Sequence, residues 1–372
     1  MPISIPVDAS RTIVVARVLA VFCMIFVHVW PRRTSLIDGS VDSPYELVIF
    51  FFIDVLGRAS VPLLSVVSGA LLVVGLSRRG SISVIVSRLQ NLIAPMLFWN
   101  LVAIIMVSLA AVAGVETVRD YSRTSSFLNG LFAIWSTPAN YPLFVLRDLF
   151  LCALVFAVAW TFIEKRRWIS YLIVGIFILL TQLPNANLLL RENIIFFFSL
   201  GAVGALNGHF DIRLNPFFAL ILFFVVTAHR LVYQSPFMTA GTDQLISYAL
   251  ETTNKFVIAL CFWQVCRTLA KSRLYDSFVR VEPYVFLLYC IHFLVYEIVA
   301  IPMKSLVTDF DSFFYMILFF TQPISAVIVA VSVFNLGQLL APRFTDFLTG
   351  AARVRSRTLS AKEILSPSSK EL

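Results

Sequence analysis

The stretch ARVLAVFCMIFVHVWP, residues 16–31, decides the fold class. It is apolar enough to cross a bilayer, yet it contains Arg17 and His28. An arginine at the centre of a membrane helix costs about 3 kcal/mol on insertion scales, so such a residue faces a protein interior or a wet cavity. Eleven residues at about 100° each bring His28 within roughly 20° of Arg17 around the helix and about 16 Å along it. We therefore predict a helix face that carries a cation and an imidazole at two depths.

The composition excludes a soluble globular domain. Of the 372 residues, 59% are hydrophobic and only 13% are charged, which leaves too little polar side chain to cover a water-exposed surface. The net charge of +8 does not indicate nucleic-acid binding, because the basic residues lie in short connections between apolar runs, as the positive-inside rule describes. The five cysteines lie inside apolar segments without a metal-ligand spacing. We therefore expect no metal site.

The apolar runs predict an all-α integral membrane protein, a bundle of about ten transmembrane helices with both termini cytoplasmic. The predicted spans are 12–31, 58–77, 92–113, 142–163, 168–182, 193–208, 214–231, 255–269, 284–302 and 314–340. Arg58 and Pro62 interrupt the second apolar region, so 45–56 is predicted as a separate interfacial or re-entrant helix. Residues 1–341 are predicted to form the membrane domain, and 342–372 a basic, disordered cytoplasmic tail.

The predicted topology divides the intramembrane polar residues into two layers. The cytoplasmic layer comprises Arg17, Tyr289 and His292. The outer layer comprises His28, Arg58, Arg147 and Asp148. Two long outer loops, 114–141 and 232–254, are expected to cover the outer layer. An arginine can hold a phosphate or polarise a carbonyl, and a histidine can take a proton from a hydroxyl near neutral pH.

Each candidate also has a purely structural explanation. Arg17 and His28 fit an arginine that extends to the interface and a histidine at a helix exit. Ser68 precedes a glycine, and small residues at mid-membrane indicate close helix packing as well as substrate contact. The adjacent residues Arg147 and Asp148 point to different sides of a helix, so they need not pair with each other, and structural pairing elsewhere competes with substrate contact.

Tyr289 and His292 are three residues apart and share a helix face. A buried tyrosine–histidine hydrogen bond between helices explains this pair without any contact to a substrate. No Walker-type phosphate loop and no His-Glu-x-x-His motif is present in the sequence.

In these residues and their order, the chain resembles the acyltransferase family 3 membrane proteins, which are O-acyltransferases of bacterial surface and exported glycans. Arg17-x10-His28 resembles the family signature in the first span. Four further stretches resemble family segments in the same order: GRASVPLLSVVSGALL (57–72), SRLQNLIAPMLFW (87–99), YPLFVLRDLF (141–150) and LLYCIHFLV (287–295). The sequence departs from the family at Asn91, where an Arg-x-x-Arg run would have its second arginine, and at 63–65, where the family is more aromatic.

The resemblance implies an acyl-CoA-dependent O-acyltransferase of the bacterial inner membrane. It would transfer an acetyl group, or alternatively a succinyl group, to a hydroxyl of an exported or lipid-linked glycan such as an exopolysaccharide. His28 would act as general base, Arg17 would steady the pantetheine arm or thioester, and Arg88 would lie near the coenzyme A phosphates. The other candidate substrate-binding residues are Arg58, Ser68, Arg147, Asp148, Tyr289 and His292.

The expected partners are membrane lipid, the acyl donor, the glycan and a polysaccharide assembly machinery, with no nucleic acid and no permanently bound cofactor. The main alternative is a transporter or flippase of lipid-linked sugars, which would also bury arginine and histidine. A flippase needs no acyl donor, so donor dependence separates the two functions. A receptor or scaffold would explain the bundle but not the ordered motifs.

Overall fold

The computed structural model describes residues 3–30, 43–115, 120–181, 191–233, 244–303 and 313–349. Within these ranges all regular structure is helical, and no strand occurs. The α-helices are α1 (Val7–Ile25), α2 (Pro44–Phe50), α3 (Arg58–Arg79), α4 (Ser81–Arg88), α5 (Ala94–Val112), α6 (Thr124–Phe132), α7 (Phe144–Lys165), α8 (Trp168–Thr181), α9 (Glu192–Leu206), α10 (Pro216–Tyr233), α11 (Gln244–Ala270), α12 (Tyr275–Met303), α13 (Phe313–Leu340) and α14 (Pro342–Thr349). Short 3₁₀ turns cover Phe26–His28 and Tyr141–Leu143, and π-helical segments cover Phe51–Gly57 and Leu89–Ile93.

In the described ranges, six continuous helical segments are long and apolar enough to cross a membrane. They are Val7–His28, Pro44–Arg79, Ser81–Val112, Tyr141–Lys165, Tyr275–Ala300 and Phe313–Leu340. Shorter apolar helices run through Asn193–Leu206 and Pro216–Leu231. On the latter, Phe217 is 71% exposed and Phe224 is 62% exposed, and such a continuous apolar surface suits lipid rather than water. Each of the ten predicted spans overlaps a helix, and the count of ten and the cytoplasmic termini stay predictions.

The predicted break before the second span is wrong, because helical structure continues from Pro44 to Arg79. The π-helical segment Phe51–Gly57 replaces the expected break. It adds residues to the turn without ending the helix. Pro62 is the fifth residue of α3, where its missing N–H and its ring are tolerated inside a continuing helix.

The helices α3 and α9 approach each other more closely than ordinary side chains allow. A Cβ at Gly69 would overlap the carbonyl oxygen of Phe198, and a Cβ at Gly201 would overlap that of Val66. Glycine on both helices therefore brings the two backbones into contact. The packing interpretation of the Ser-Gly pair is confirmed for the glycine.

Helices α1 and α12 pack side by side and run in the same direction. Arg17 of α1 pairs with Glu282 of α12. Eleven residues after Arg17, His28 contacts His292, which is ten residues after Glu282.

The predicted tail begins with α14, a short helix that packs against α13, and residues 350–372 lie outside the described ranges.

Candidate active site

His28 ends the first membrane helix in a 3₁₀ turn, Phe26–His28. The backbone just beyond it is held by Gln322 of α13, whose side chain is 2% exposed. The Gln322 oxygen accepts from the Trp30 amide at 2.9 Å, and its nitrogen donates to the Trp30 carbonyl at 2.6 Å. These two bonds satisfy backbone groups at the helix end and fix the position from which the imidazole projects.

Aromatic rings surround the His28 imidazole. Its ring centroid lies 5.4 Å from that of His292, 5.7 Å from that of Tyr141 and 6.1 Å from that of Phe293. His292 therefore lies at the depth of His28. The prediction that placed His292 in the opposite layer with Arg17 is wrong, since α12 begins at Tyr275, well before the predicted span.

His292 is fully buried, and its hydrogen bonds define its tautomer. Its Nδ1 lies 2.8 Å from the carbonyl oxygen of Tyr289 and 3.2 Å from that of Leu288. Carbonyl oxygens only accept hydrogen bonds, so Nδ1 carries the proton and Nε2 carries a lone pair. This Nε2 is buried and has no hydrogen-bond partner in the described ranges. A buried acceptor next to a second imidazole is an arrangement that can receive or relay a proton.

The segment before α7 is tied to α12 by two hydrogen bonds. The Tyr289 hydroxyl donates to the Pro142 carbonyl at 2.6 Å, and the Asn140 side chain donates to the Cys290 carbonyl at 2.7 Å. They position Tyr141 against His28. Since Tyr289 donates to Pro142 and His292 donates to its own helix, the alternative of a tyrosine–histidine hydrogen bond is wrong.

Arg147 and Asp148 pair with each other, contrary to the expectation from their adjacent positions. Arg147 Nε donates to Asp148 Oδ1 at 2.8 Å, and a second guanidinium nitrogen lies 2.7 Å from the same oxygen. The arginine also donates to the carbonyl of Ala133, at the left-handed end of α6. The loop predicted at 114–141 thus contains a helix whose end is bound to α7.

Arg191 also belongs to this group, although its position in the sequence did not indicate it. Its amide donates to Asp148 Oδ2 at 3.1 Å, and its guanidinium donates to the Tyr141 hydroxyl at 3.3 Å. The same guanidinium lies 3.5 Å from the Phe144 ring centroid, a cation–π contact. One carboxylate therefore faces two arginines beside His28, and this side of the site favours negative charge. The only sequence signal was a lone arginine just before an apolar run.

Arg17 does not reach His28. Its guanidinium lies 2.6 Å from the Glu282 carboxylate, which is 8% exposed, while the arginine side chain is 34% exposed. The structure therefore gives Arg17 a specific partner that sequence spacing could not indicate, since the two are 265 positions apart. The partial exposure leaves one side of the guanidinium open.

Arg88 and Ser68 are also brought together. An Arg88 guanidinium nitrogen donates to the Ser68 carbonyl at 3.3 Å, which ties α4 to the middle of α3. Asn91 donates to the carbonyl of Ser87, so the residue in place of the second family arginine bonds within its own helix. Arg88 directly precedes the π-helical segment Leu89–Ile93.

Arg58 lies in a third group. Its Nε is 2.9 Å from Asp54, one helical turn earlier, and Arg230 of α10 also approaches that carboxylate, at 3.7 Å. Gly57, next to Arg58, packs against Val27 of α1, so this group lies at the same end of the bundle as His28.

The predicted outer loop 232–254 is shorter than expected, because α11 begins at Gln244; residues 234–243 lie outside the described ranges.

The structure thus divides the nine candidates into four groups. His28, His292 and Tyr289 share one cluster with Arg147 and Asp148 beside it, whereas Arg17, Arg58 and the pair Ser68–Arg88 each lie elsewhere. Residues that sequence reasoning missed include Arg191, Glu282, Asp54, Arg230 and Gln322. In the described ranges no three histidine, cysteine or carboxylate side chains group as a metal site would require.

Comparison with known proteins identifies the family of the chain. The acyltransferase family 3 model, described as an acyltransferase domain, matches residues 12–337. The chain is 27% identical over 357 residues to the succinoglycan biosynthesis protein ExoH of Rhizobium meliloti (strain 1021), covering 92% of this chain and 93% of that protein. No solved structure matches. Because the family model covers most of the chain, including every residue of the His28 cluster, the protein belongs to acyltransferase family 3.

Proposed function

We propose that this protein transfers an acyl group from cytoplasmic acyl-CoA to a hydroxyl of an exopolysaccharide or its lipid-linked precursor, at the outer side of the bacterial inner membrane. The observation that carries the proposal is the pair of imidazoles formed by His28 and the buried His292, at the end of α1. Membership of an acyltransferase family and the similarity to a succinoglycan biosynthesis protein support the acyl chemistry and the glycan.

In this mechanism His28 acts as the general base. It accepts the proton of a sugar hydroxyl as the oxygen attacks the acyl carbonyl of the thioester; the carbon–sulfur bond breaks and coenzyme A leaves as the thiolate. His292 is suited to orient His28 or to take the proton onward, because its Nε2 is a lone-pair acceptor. Arg191 and Arg147 would stabilise the negative charge that develops on the carbonyl oxygen.

The donor would approach from the Arg17 end. Arg17 and His28 are about 16 Å apart along the helix axis, which requires a long flexible donor rather than a small one. The open side of the Arg17 guanidinium would contact the pantetheine arm, and Arg88, with Arg78 and Arg79 at the end of α3, would contact the coenzyme A phosphates. Acetyl is our first choice of acyl group, and succinyl is the second.

The test is mass spectrometry of surface and secreted polysaccharide from a deletion strain complemented with wild type, H28A or H209A. His209 is an exposed histidine outside the cluster, so H209A makes the same chemical change without touching the site. We expect an ester-linked acyl group to vanish in the deletion strain, to return with wild type and H209A, and to stay absent with H28A at equal protein abundance.

The mass of the missing group would identify the donor as acetyl or succinyl. Substantial ester formation with H28A would refute the role of His28. Unchanged esters with the polymer lost or retained in the cell would instead support a flippase of lipid-linked sugars, and the acyl transfer would be abandoned.

A further inference from the structure

A second cluster of charged residues lies at the His28 end of the bundle. It joins the π-helical segment before α3 to α10 and α11. Asp54, which is 2% exposed, faces both Arg58 and Arg230. On α11, Lys255 Nζ lies 2.5 Å from the Glu251 carboxylate. The charges of Glu251 and Lys255 interact with those of both arginines, so all five residues form one electrostatic unit.

The charges of this unit do not balance within the described ranges. Three cations (Arg58, Arg230 and Lys255) face two carboxylates (Asp54 and Glu251), which leaves one surplus positive charge. The Arg230 side chain is 4% exposed and that of Lys255 10%, so water screens the surplus poorly. A buried charge without a counterion is strongly destabilising, so an anion that binds here would stabilise the cluster.

The geometry also leaves a donor and an opening for such an anion. Arg230 Nε is buried and has no hydrogen-bond partner in the described ranges. Arg58, which pairs with the same oxygen of Asp54, has a side chain that is 30% exposed. A guanidinium binds carboxylate and phosphate oxygens in a planar, two-point geometry, so a singly charged oxyanion fits this site better than a halide or a neutral sugar hydroxyl.

We propose that Arg230, Arg58 and Lys255 form a subsite for one carboxylate or phosphate oxyanion of the acyl acceptor. The inference rests on the proposed function. Gly57, the neighbour of Arg58, packs against Val27 of α1, which directly precedes His28, so an acceptor anchored here has its hydroxyls at the His28 end of the bundle. The donor's phosphates belong with the basic residues around Arg88, in a different group of the structure.

The test measures ligand-induced thermal stabilisation of the full-length protein in lipid nanodiscs. The probes are methyl glucuronide, dimethyl phosphate, the uncharged methyl glucoside and monomethyl succinate, which mimics a donor carboxylate. We expect methyl glucuronide or dimethyl phosphate to raise the melting temperature and methyl glucoside to leave it unchanged. We also expect the effective acceptor-like anion to bind more tightly than monomethyl succinate; the reverse order would assign the subsite to the donor and overturn the proposal.

The variant R230Q separates a ligand site from a structural ion cluster. It leaves two cations facing two carboxylates, so without a probe its melting temperature should equal or exceed that of wild type. Its affinity for the anion should fall by about tenfold or more, since a charge-assisted hydrogen bond is lost. The matched control is R213Q, because Arg213 is 71% exposed and pairs with Asp211 outside this cluster.

Equal anion-induced shifts in R230Q and wild type would refute the subsite. If R230Q is too unstable to purify, R58Q provides the same comparison through the more exposed arginine. The H28A variant should bind the anions as wild type does while losing acyl transfer. Failure of wild type to acylate any glycan would therefore refute the proposed function, whereas absence of anion binding in an active enzyme would refute the subsite alone.

Discussion

The ion pair between Arg17 and Glu282 allows the two possible roles of Arg17 to be separated. The variant R17Q removes the cation and leaves a carboxylate that is only 8% exposed. Breaking a fully buried pair costs about 3–5 kcal/mol, and a fully exposed pair contributes about 0–1 kcal/mol. Because the Arg17 side chain is 34% exposed, we expect an intermediate loss of about 1–2 kcal/mol in the free energy of unfolding.

The double variant R17Q/E282Q removes both charges and should regain most of that stability, since no unpaired charge remains buried. The single variant E282Q leaves Arg17, whose long side chain can turn toward water. It should therefore be less destabilised than R17Q. This order of stability follows from the difference in exposure between the two partners.

Activity should follow a different order. If Arg17 contacts the donor, both R17Q and the double variant lack that contact, and acyl transfer should be lost in both. E282Q retains the arginine and should keep part of the wild-type rate. A structural role for Arg17 predicts instead that the double variant recovers activity together with stability.

The assay pairs thermal unfolding in nanodiscs with the ester content of the polysaccharide at matched protein abundance. The expected loss corresponds to a melting temperature lower by about 1–3 °C in R17Q for a chain of this size. Full acyl transfer by the double variant would refute a role of Arg17 toward the donor. Unchanged stability of R17Q would refute the reasoning about the ion pair.

Two further predictions concern packing and positioning. G69A places a Cβ on the Phe198 carbonyl and should cost about 1–3 kcal/mol or prevent folding, measured by yield of monodisperse protein; G204A, whose Cβ would meet no atom closer than 3.7 Å, is the control and should be tolerated. Y289F loses the bond to the Pro142 carbonyl and should lower the free energy of unfolding by about 1–2 kcal/mol, measured by thermal melting; a melting temperature equal to that of wild type would contradict this.

Sequence periodicity was sufficient for the helices and for the shared face of Arg17 and His28. Both depend on local hydrophobicity and on the fixed geometry of the α-helix. The continuity of the second helix was not predictable in this way. A π-helical turn such as Phe51–Gly57 has no characteristic amino-acid composition. The charged Arg58 and the nearby Pro62 together resemble a helix boundary.

The partners of the candidates were beyond sequence reasoning because they are tertiary contacts. Glu282 is 265 residues from Arg17, and Gln322 is 292 residues from Trp30. The predicted depth of His292 was wrong for a related reason. Depth was counted from a span beginning at residue 284, whereas α12 begins nine residues earlier, at Tyr275, in a mixed polar segment that hydrophobicity alone does not include.

The parallel arrangement of α1 and α12 explains how a membrane protein tolerates these polar residues. The two helices meet at Arg17–Glu282 and again at His28–His292, separated by eleven residues on one helix and ten on the other. These spacings correspond to about 16 and 15 Å along the helix axes, so both pairs can form at only one alignment of α1 with α12. A shift of one helix by a single turn, about 5.4 Å, would leave the carboxylate without its cation and the two imidazoles apart. The ion pair therefore holds the two helices in the register that keeps His28 and His292 at the same depth.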